Sequence, residues 1–392
     1  MKNRRMKFSK ASSNVQPFRV MEILARARQL ESEGRDIVHM EIGEPVFPTP
    51  PYLLKAATQL IQTSPMGYTP AAGLPDLRQR LAQYYQDRYG VPLDPRRIFV
   101  TPGASGALSL VLALIVNPGD EVLVADPSYP CYPNFLAVSG ARCVRVPVLH
   151  SEHCALNAEQ VGAFWTAKSR GVILASPANP TGGILPRATL KDLLSFVEDR
   201  AGFVISDEIY HGLEYQGQAT TALELSSEAF VINSFSKYFG MTGWRLGWAV
   251  VPEAAISAAE RLAQNLFISA PTLSQRLALL AFETENLQEL ETRRVLLGER
   301  RRLMLDGLQR LNWRPRGQPD GAFYVYADVS EGPGDSARLA HQLLEEEGVA
   351  VTPGFDFGNI EAATHLRLSY TADPQQITEG FQRIARFLRR FR

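Results

Sequence analysis

At 392 residues, 45% of them hydrophobic, the chain is long enough for two or three domains and a large buried core. Lysines plus arginines number 41, as do aspartates plus glutamates, and the formal net charge of zero argues against general affinity for nucleic acid or anionic membrane. The three cysteines, Cys131, Cys143 and Cys154, form no CxxC and have no histidine at ligand spacing. Reduced thiols in a cytoplasmic protein are therefore expected, and no metal site.

The basic start, Met1 to Lys7, runs into Ser12-Ser-Asn14 instead of an apolar signal-peptide core. The longest apolar run, Ala107 to Val116, contains a serine, stops at Asn117-Pro-Gly-Asp120 and falls well short of the ~20 residues a membrane span requires. Apolar, strand-like runs follow in order at Arg97–Thr101, Glu121–Ala125, Gly171–Ala175, Phe203–Ser206, Phe230–Asn233 and Leu246–Val251. Helical stretches separate them. In Leu185–Arg200, for example, Leu190, Leu193, Leu194 and Val197 recur at three- and four-residue steps. This alternation predicts an α/β fold whose mostly parallel sheet is covered on both faces, with ligands bound beyond the carboxyl ends of the strands. Pro252 to about Arg310 reads as almost entirely helical, including a long connecting helix. Ala322–Ala327, a helix over Ser336–Glu347, Val349–Thr352, His365–Tyr370 and a final helix then predict a small α+β domain. The basic end, Arg386 to Arg392, suits a helix C-terminus, where the dipole favours cations.

One strand end carries a distinctive cluster. Ala229-Phe-Val-Ile-Asn233 leads into Ser234-Phe-Ser-Lys237-Tyr-Phe-Gly-Met-Thr-Gly-Trp-Arg245-Leu-Gly247. Hydroxyls and a guanidinium among glycines suit a phosphate, and a lysine in an apolar setting can lose its proton and attack an aldehyde. A phosphate-bearing aldehyde held as a Schiff base is the chemistry of pyridoxal phosphate (PLP). Further along the same logic stand Ser176-Pro-Ala-Asn179-Pro-Thr-Gly182, Ser206-Asp207-Glu-Ile-Tyr210 and His365-Leu-Arg367-Leu-Ser-Tyr370.

Together with Glu41-Ile-Gly43-Glu-Pro45, these segments resemble, in order and spacing, the class I/II aminotransferases of PLP fold type I, over nearly the whole chain. The resemblance implies a large domain with a mostly parallel seven-stranded sheet flanked by helices (residues 49–285), a small α+β domain (286–392) and an N-terminal segment (1–48) packed on the latter. It implies PLP as cofactor and transfer of an α-amino group between an amino acid and a 2-oxo acid by a ping-pong cycle. A β-elimination C–S lyase or an aminocyclopropane-carboxylate-synthase-like enzyme uses the same residues and stays open as the alternative. A PLP-sensing regulator is disfavoured, because only about 48 residues precede the sheet domain and none shows a helix-turn-helix pattern.

Residue by residue, Lys237 is expected to anchor the cofactor and then to move a proton between substrate Cα and the cofactor. Asp207 would keep the pyridine nitrogen protonated, and Asn179 and Tyr210 would hydrogen-bond the phenolic oxygen. The lesser alternative for Asp207 is an N-cap of the following turn; taken alone, Asn179 reads rather as a turn asparagine and Tyr210 as a core tyrosine. Gly103, Ala104 and Ser105 open an apolar helix after a strand and form an anion site, to which Ser234, Ser236 and Arg245 add hydroxyls and charge. By the resemblance, Tyr129 stacks on the ring, Tyr68 reaches the phosphate of a neighbouring subunit in a homodimer, Gly43 admits the substrate and Arg367 holds its α-carboxylate. Packing is the alternative for Tyr129, a plain turn for Gly43 and a structural salt bridge for Arg367. Tyr129, Tyr132, Phe18 and Phe267 are candidates for lining a side-chain pocket, and no second arginine marks a dicarboxylate substrate.

Overall fold

A computed structural model describes residues 6–150 and 153–391. The first five residues of the basic start, and Arg392 at the basic end, lie outside the described residues. The seven strands of the main sheet are β1 (Ile98–Thr101), β2 (Glu121–Asp126), β3 (Arg142–Pro147), β4 (Ser169–Ala175), β5 (Phe203–Asp207), β6 (Phe230–Ser234) and β7 (Gly247–Val250). They lie in the order β1-β7-β6-β5-β4-β2-β3. Only β7 runs against its neighbours, pairing antiparallel with both β1 and β6. The central strands are buried along almost their whole length because helices cover both faces. One face carries Leu81, Leu190, Leu193 and Val197, the other Leu108, Val111, Leu136 and Ala263. Each such leucine or valine contributes about 1.5–3 kcal/mol of burial.

The strand absent from the sequence expectation is β3. It lies at the sheet edge, pairs only with β2, and carries Arg142 and Arg145, whose guanidinium groups meet Glu121 and Asp126. A strand solvated along one edge need not be an apolar run.

Helix α1 (Arg19–Ser32) precedes the sheet, helix α2 (Gly103–Ile115) follows β1, and helix α3 (Thr284–Leu311) leaves the sheet region. Leu290 of α3 belongs to the core under the main sheet, whereas Leu297, Met304 and Leu308 belong to a second core. That second core lies against an antiparallel sheet of β8 (Arg314–Pro315), β9 (Tyr324–Asp328), β10 (Thr352–Pro353) and β11 (His365–Ser369), ordered β10-β11-β9-β8. The two-residue β8 is too short to carry a periodic signal. From the N-terminal side, Val38–His39 pairs in parallel with Val349–Ala350, so this segment joins the smaller sheet region. The basic end is held by ion pairs, Arg386 to Glu347 at 2.7 Å and Arg390 to Glu346 at 2.7 Å, rather than by a dipole alone. Among the described residues no helix is long and apolar enough to cross a membrane, and no cluster of metal-ligating side chains occurs. All three cysteines are free.

Candidate active site

A cavity of about 440 Å³ opens beyond the carboxyl ends of the parallel strands, where β11 and the N-terminal segment meet the main sheet. Five strand ends converge on it. Ala104 and Ser105 follow β1, Tyr129 follows β2, Asn179 follows β4, Asp207 ends β5, and Ser236 and Lys237 follow β6. Arg367 enters from β11 and Gly43 from the N-terminal segment.

The turn carrying Lys237 is fixed by its own sequence. The Ser236 N–H donates to Ser234 Oγ at 3.0 Å, and Phe235 is clamped between Phe239 and Trp248, ring centroids 4.9 and 5.0 Å away. With Phe235 anchored inward, the next two side chains face the cavity. Lys237 Nζ donates to the Gly43 carbonyl at 2.7 Å. Burial lowers its pKa to about 8, with Arg367 and Arg245 lowering it further and the Glu44 and Asp207 carboxylates opposing. An amine with this value is still mostly protonated near pH 7 but carries a far larger neutral fraction than an ordinary lysine.

Asp207 is buried, and burial raises its carboxyl to about 6. The Tyr132 hydroxyl donates to Oδ2 at 2.5 Å and the Ile209 N–H to Oδ1 at 3.2 Å; these bonds and the charge of Lys237 oppose the rise. The Tyr210 hydroxyl lies 3.1 Å from that of Tyr324.

Arg367 is 2% exposed, yet its hydrogen-bond partners among the described residues are neutral oxygens and no carboxylate forms an ion pair with it. It lies between the rings of Tyr324 and Phe357, 4.4 and 4.9 Å from their centroids. Nη2 donates to the Glu41 carbonyl at 2.5 Å, Nη1 donates to Asn179 Oδ1 at 3.2 Å, and Nε has no partner. The structural salt bridge considered from the sequence is therefore not what holds it. A buried guanidinium that lines a cavity and keeps an unpartnered donor has the chemistry to take a carboxylate.

At the other end, Gly103 (φ +72°) passes directly over Arg245. A Cβ there would fall 2.7 Å from Arg245 Nη2. Gly247 has the same logic, since a Cβ on it would lie 2.8 Å from the Ala104 nitrogen. These two glycines let the start of α2, the β7 strand and the Arg245 guanidinium close on one point. The free N–H groups of a 13-residue helix, two hydroxyls and a cation make that point an anion site.

A family model described as aminotransferase class I and II matches residues 35–384. The chain belongs to that family. It is similar to the (5-formylfuran-3-yl)methyl phosphate transaminase of Methanocaldococcus jannaschii, at 38% identity over 383 residues, 97% of this chain and 99% of the other. Similarity to the valine–pyruvate aminotransferase of Mycobacterium tuberculosis is 37% over 378 residues, 96% and 97% of the two chains. The crystal structure of an aminotransferase from Mycobacterium tuberculosis superposes with a TM-score of 0.95 at 37% identity, covering 98% of this chain and 100% of that one. The protein is a PLP-dependent aminotransferase of fold type I. These relatives are named for amino transfer, so the elimination alternative is not favoured.

The donor set of the aminotransferase fits its cofactor. A buried amine of lowered pKa, a buried carboxylate, two buried groups able to bond an oxygen (Asn179 and Tyr210) and donors suited to an anion occur together around one cavity. Some expected residues are placed differently. Ser234 does not line the cavity: its hydroxyl bonds the Leu246 carbonyl at 3.0 Å and Ser236 Oγ at 2.9 Å, so it shapes the turn behind Ser236. Gly103 acts as backing for Arg245 and does not line the wall. Tyr68 is 84% exposed and outside this chain's cavity. Phe267 is also outside, packed under the sheet, whereas Phe18 and Tyr129 do line the cavity. Tyr132 lines it too, but its hydroxyl is committed to Asp207. Sequence reasoning missed Tyr324, which no local motif marks. It also missed the wall formed by Val20, Met21 and Leu24 of α1, although the apolar steps Val20, Leu24, Ala27 and Leu30 were readable as a helix face.

Proposed function

We propose that this aminotransferase exchanges the α-amino group of an amino acid bearing an apolar or aromatic side chain with a 2-oxo acid, through roles now assigned residue by residue. The observation that carries the proposal is the confinement of Lys237, Asp207 and Arg367 in one cavity whose α1 side presents Phe18, Val20, Met21 and Leu24, with Arg28, Glu41 and Glu44 as further charged lining. Ala104, Ser105, Ser236 and Arg245 would hold the phosphate of PLP, Asp207 its ring nitrogen, Asn179 and Tyr210 its phenolic oxygen, and Tyr129 one ring face. When bound, PLP supplies a cationic ring that spreads the charge left at a substrate carbon after proton loss.

Arg367 would take the α-carboxylate in its fork and so fix which Cα bond faces Lys237. Lys237 Nζ, its pKa lowered by burial, would take the Cα proton and hold it for return. Asp207 keeps a negative charge where the ring nitrogen's proton resides, and Tyr132 keeps that carboxylate oriented. Gly43 has no side chain to fill the entry, where a Cβ would fall 2.9 Å from the Tyr324 hydroxyl. The exposure of Tyr68 supports a homodimer in which it completes the partner's phosphate site. The separate cores on either side of α3 support a division at residues 1–48, 49–285 and 286–392, and three free cysteines support a cytoplasmic location.

The direct test mixes purified holoenzyme with each proteinogenic amino acid, without a 2-oxo acid, and follows the cofactor's absorbance. Conversion to the pyridoxamine form with apolar and aromatic donors is expected. Release of ammonia without that conversion would sink the transamination reading, and preference for dicarboxylic donors would sink the substrate class. Borohydride reduction followed by peptide mapping should place the pyridoxyl label on Lys237; a label on another lysine would overturn the site.

A further inference from the structure

We propose that Asp356, on the loop between β10 and β11, is a positioning residue that sets the side-chain wall of the substrate cavity. That wall is the first two turns of α1, which contribute Val20, Met21 and Leu24 after Phe18. The residue at the helix N-cap, Phe18, supplies no side-chain cap. The cap comes from far along the chain: Asp356 Oδ1 accepts the Arg19 N–H and Oδ2 the Val20 N–H, both at 2.9 Å. One carboxylate thus satisfies two of the four N–H groups left open at a helix start, and places its charge against the positive end of the dipole. Asp356 is buried, which favours its protonated form, and both N–H bonds oppose that by favouring the carboxylate.

The loop bearing Asp356 is itself tied to two parts of the active site. Asp126, at the end of β2, accepts the Asn359 N–H at 3.0 Å, and the Phe357 carbonyl accepts the Ser128 N–H at 2.9 Å. Asp126 and Ser128 lie three residues and one residue before Tyr129. Arg145 adds a third tie, donating to the same Phe357 carbonyl at 3.2 Å. The Phe357 ring lies against the Arg367 guanidinium. Gly358 permits this seating, because a Cβ on it would fall 1.9 Å from Asp126 Oδ1. One short loop therefore fixes the carboxylate fork, the Tyr129 segment and the α1 wall relative to each other. Asp356 supplies its carboxylate link to α1, and the Arg19 guanidinium lies over the Phe355 ring of the same loop, 5.7 Å from its centroid.

The inference rests on the reading that α1 contacts the substrate side chain. Two variants break the link from opposite sides. Asp356→Ala removes the acceptor. Arg19→Pro removes one donor, together with the guanidinium over Phe355, at the first helical position, which proline suits, and Phe18 is already extended (φ −97°, ψ 98°) as a residue before proline must be. The steady-state constants are measured with a bulky apolar donor and with alanine, alongside the absorbance of the bound cofactor. One charge-assisted hydrogen bond corresponds to roughly a tenfold change in binding. Each variant should raise KM for the bulky donor about tenfold with kcat little changed, move alanine far less, and leave the cofactor band in place. Asp356→Asn, which keeps one acceptor oxygen, should fall between wild type and Asp356→Ala. The double variant should be no worse than the worse single one, since both remove the same link.

Equal losses for both donors, a fall in kcat with KM unchanged, or additive effects in the double variant would overturn the role of Asp356. Loss of folding in Asp356→Ala leaves Arg19→Pro and Asp356→Asn to decide by the same criteria. A wild-type enzyme with no discrimination between bulky donors and alanine would instead overturn the underlying reading of the wall.

Discussion

Lys237 and Asp207 share a cavity and are pushed by burial in opposite directions of charge, each toward its neutral form. For Lys237 that is useful, since a neutral amine is the base required. For Asp207 it is a cost, because the function needs the charged form. The Asp207 carboxyl titrates near 6 in the fold against an ordinary 3.8. Its contribution to stability is therefore present below pH 3.8 and lost as pH rises through about 6. In the cofactor-free protein, Asp207→Asn should be more stable than wild type at about pH 8 by on the order of 3 kcal/mol, with the difference vanishing near pH 4. Thermal melts at the two pH values check this, and an unchanged melting point at the higher pH would show the charge already compensated. The same variant should retain PLP yet lose turnover by ~10²–10³-fold, the usual cost of one preorganised electrostatic partner. Near wild-type turnover would make Asp207 structural. Arg367→Lys keeps the charge and loses the fork, so amino acids and 2-oxo acids should both bind more weakly while the cofactor spectrum stays put. Amines without a carboxylate should be affected far less; equal effects on both would remove Arg367 from the substrate site. These residues were legible in the sequence because each chemical demand was written beside a strand end. Tyr132 and Tyr324 were not, because their roles depend on hydroxyl partners 75 and 114 positions away.

Between residues and fold, the decisive element is the start of α2 pressed against β7. Gly247 permits that approach: a Cβ there would lie 2.8 Å from the Ala104 nitrogen and 2.8 Å from the Asn233 carbonyl oxygen, and neither backbone atom is free to move. Gly247→Ala should lift the helix start away from Arg245 and Ser236. PLP affinity should fall at least ~10-fold, with a stability loss of about 1–3 kcal/mol from overpacking. Equilibrium dialysis with PLP checks the first, and an unchanged affinity would mean that the helix start does not hold the phosphate. The sequence showed the strand and the apolar helix, but not that Gly247 was the point of approach, which requires the antiparallel insertion of β7 between β1 and β6. The edge strand β3 escaped for a related reason. Its two arginines face partners on β2 and the solvent, so its pattern reflects its position in the sheet, which a local reading does not contain.

At the scale of the whole molecule, α3 joins two cores, one under each sheet, and the cavity lies where the sheets face each other. Of the residues given a role in the proposed reaction, all but Tyr68 line this cavity, while Gly103 and Ser234 back it from behind Arg245 and Ser236. That tyrosine is 84% exposed on a segment whose neighbour Gly67 is tied to Thr272 by a 2.7 Å hydrogen bond, so its main chain is held while its ring projects outward. A large exposed tyrosine held this way suits a site on a second copy of the chain. If Tyr68 completes the partner's phosphate site, Tyr68→Phe should weaken PLP binding although it touches nothing in its own cavity. Complementation decides the matter. Lys237→Ala and Tyr68→Phe chains, refolded together with limiting PLP, form mixed dimers in which one site receives Lys237 from one chain and Tyr68 from the other. The mixture should exceed the summed activity of the two parents kept apart, and sedimentation should show a dimer. Activity equal to that sum would place Tyr68 outside any shared site, and a monomer with full PLP affinity would place the whole active site within one chain.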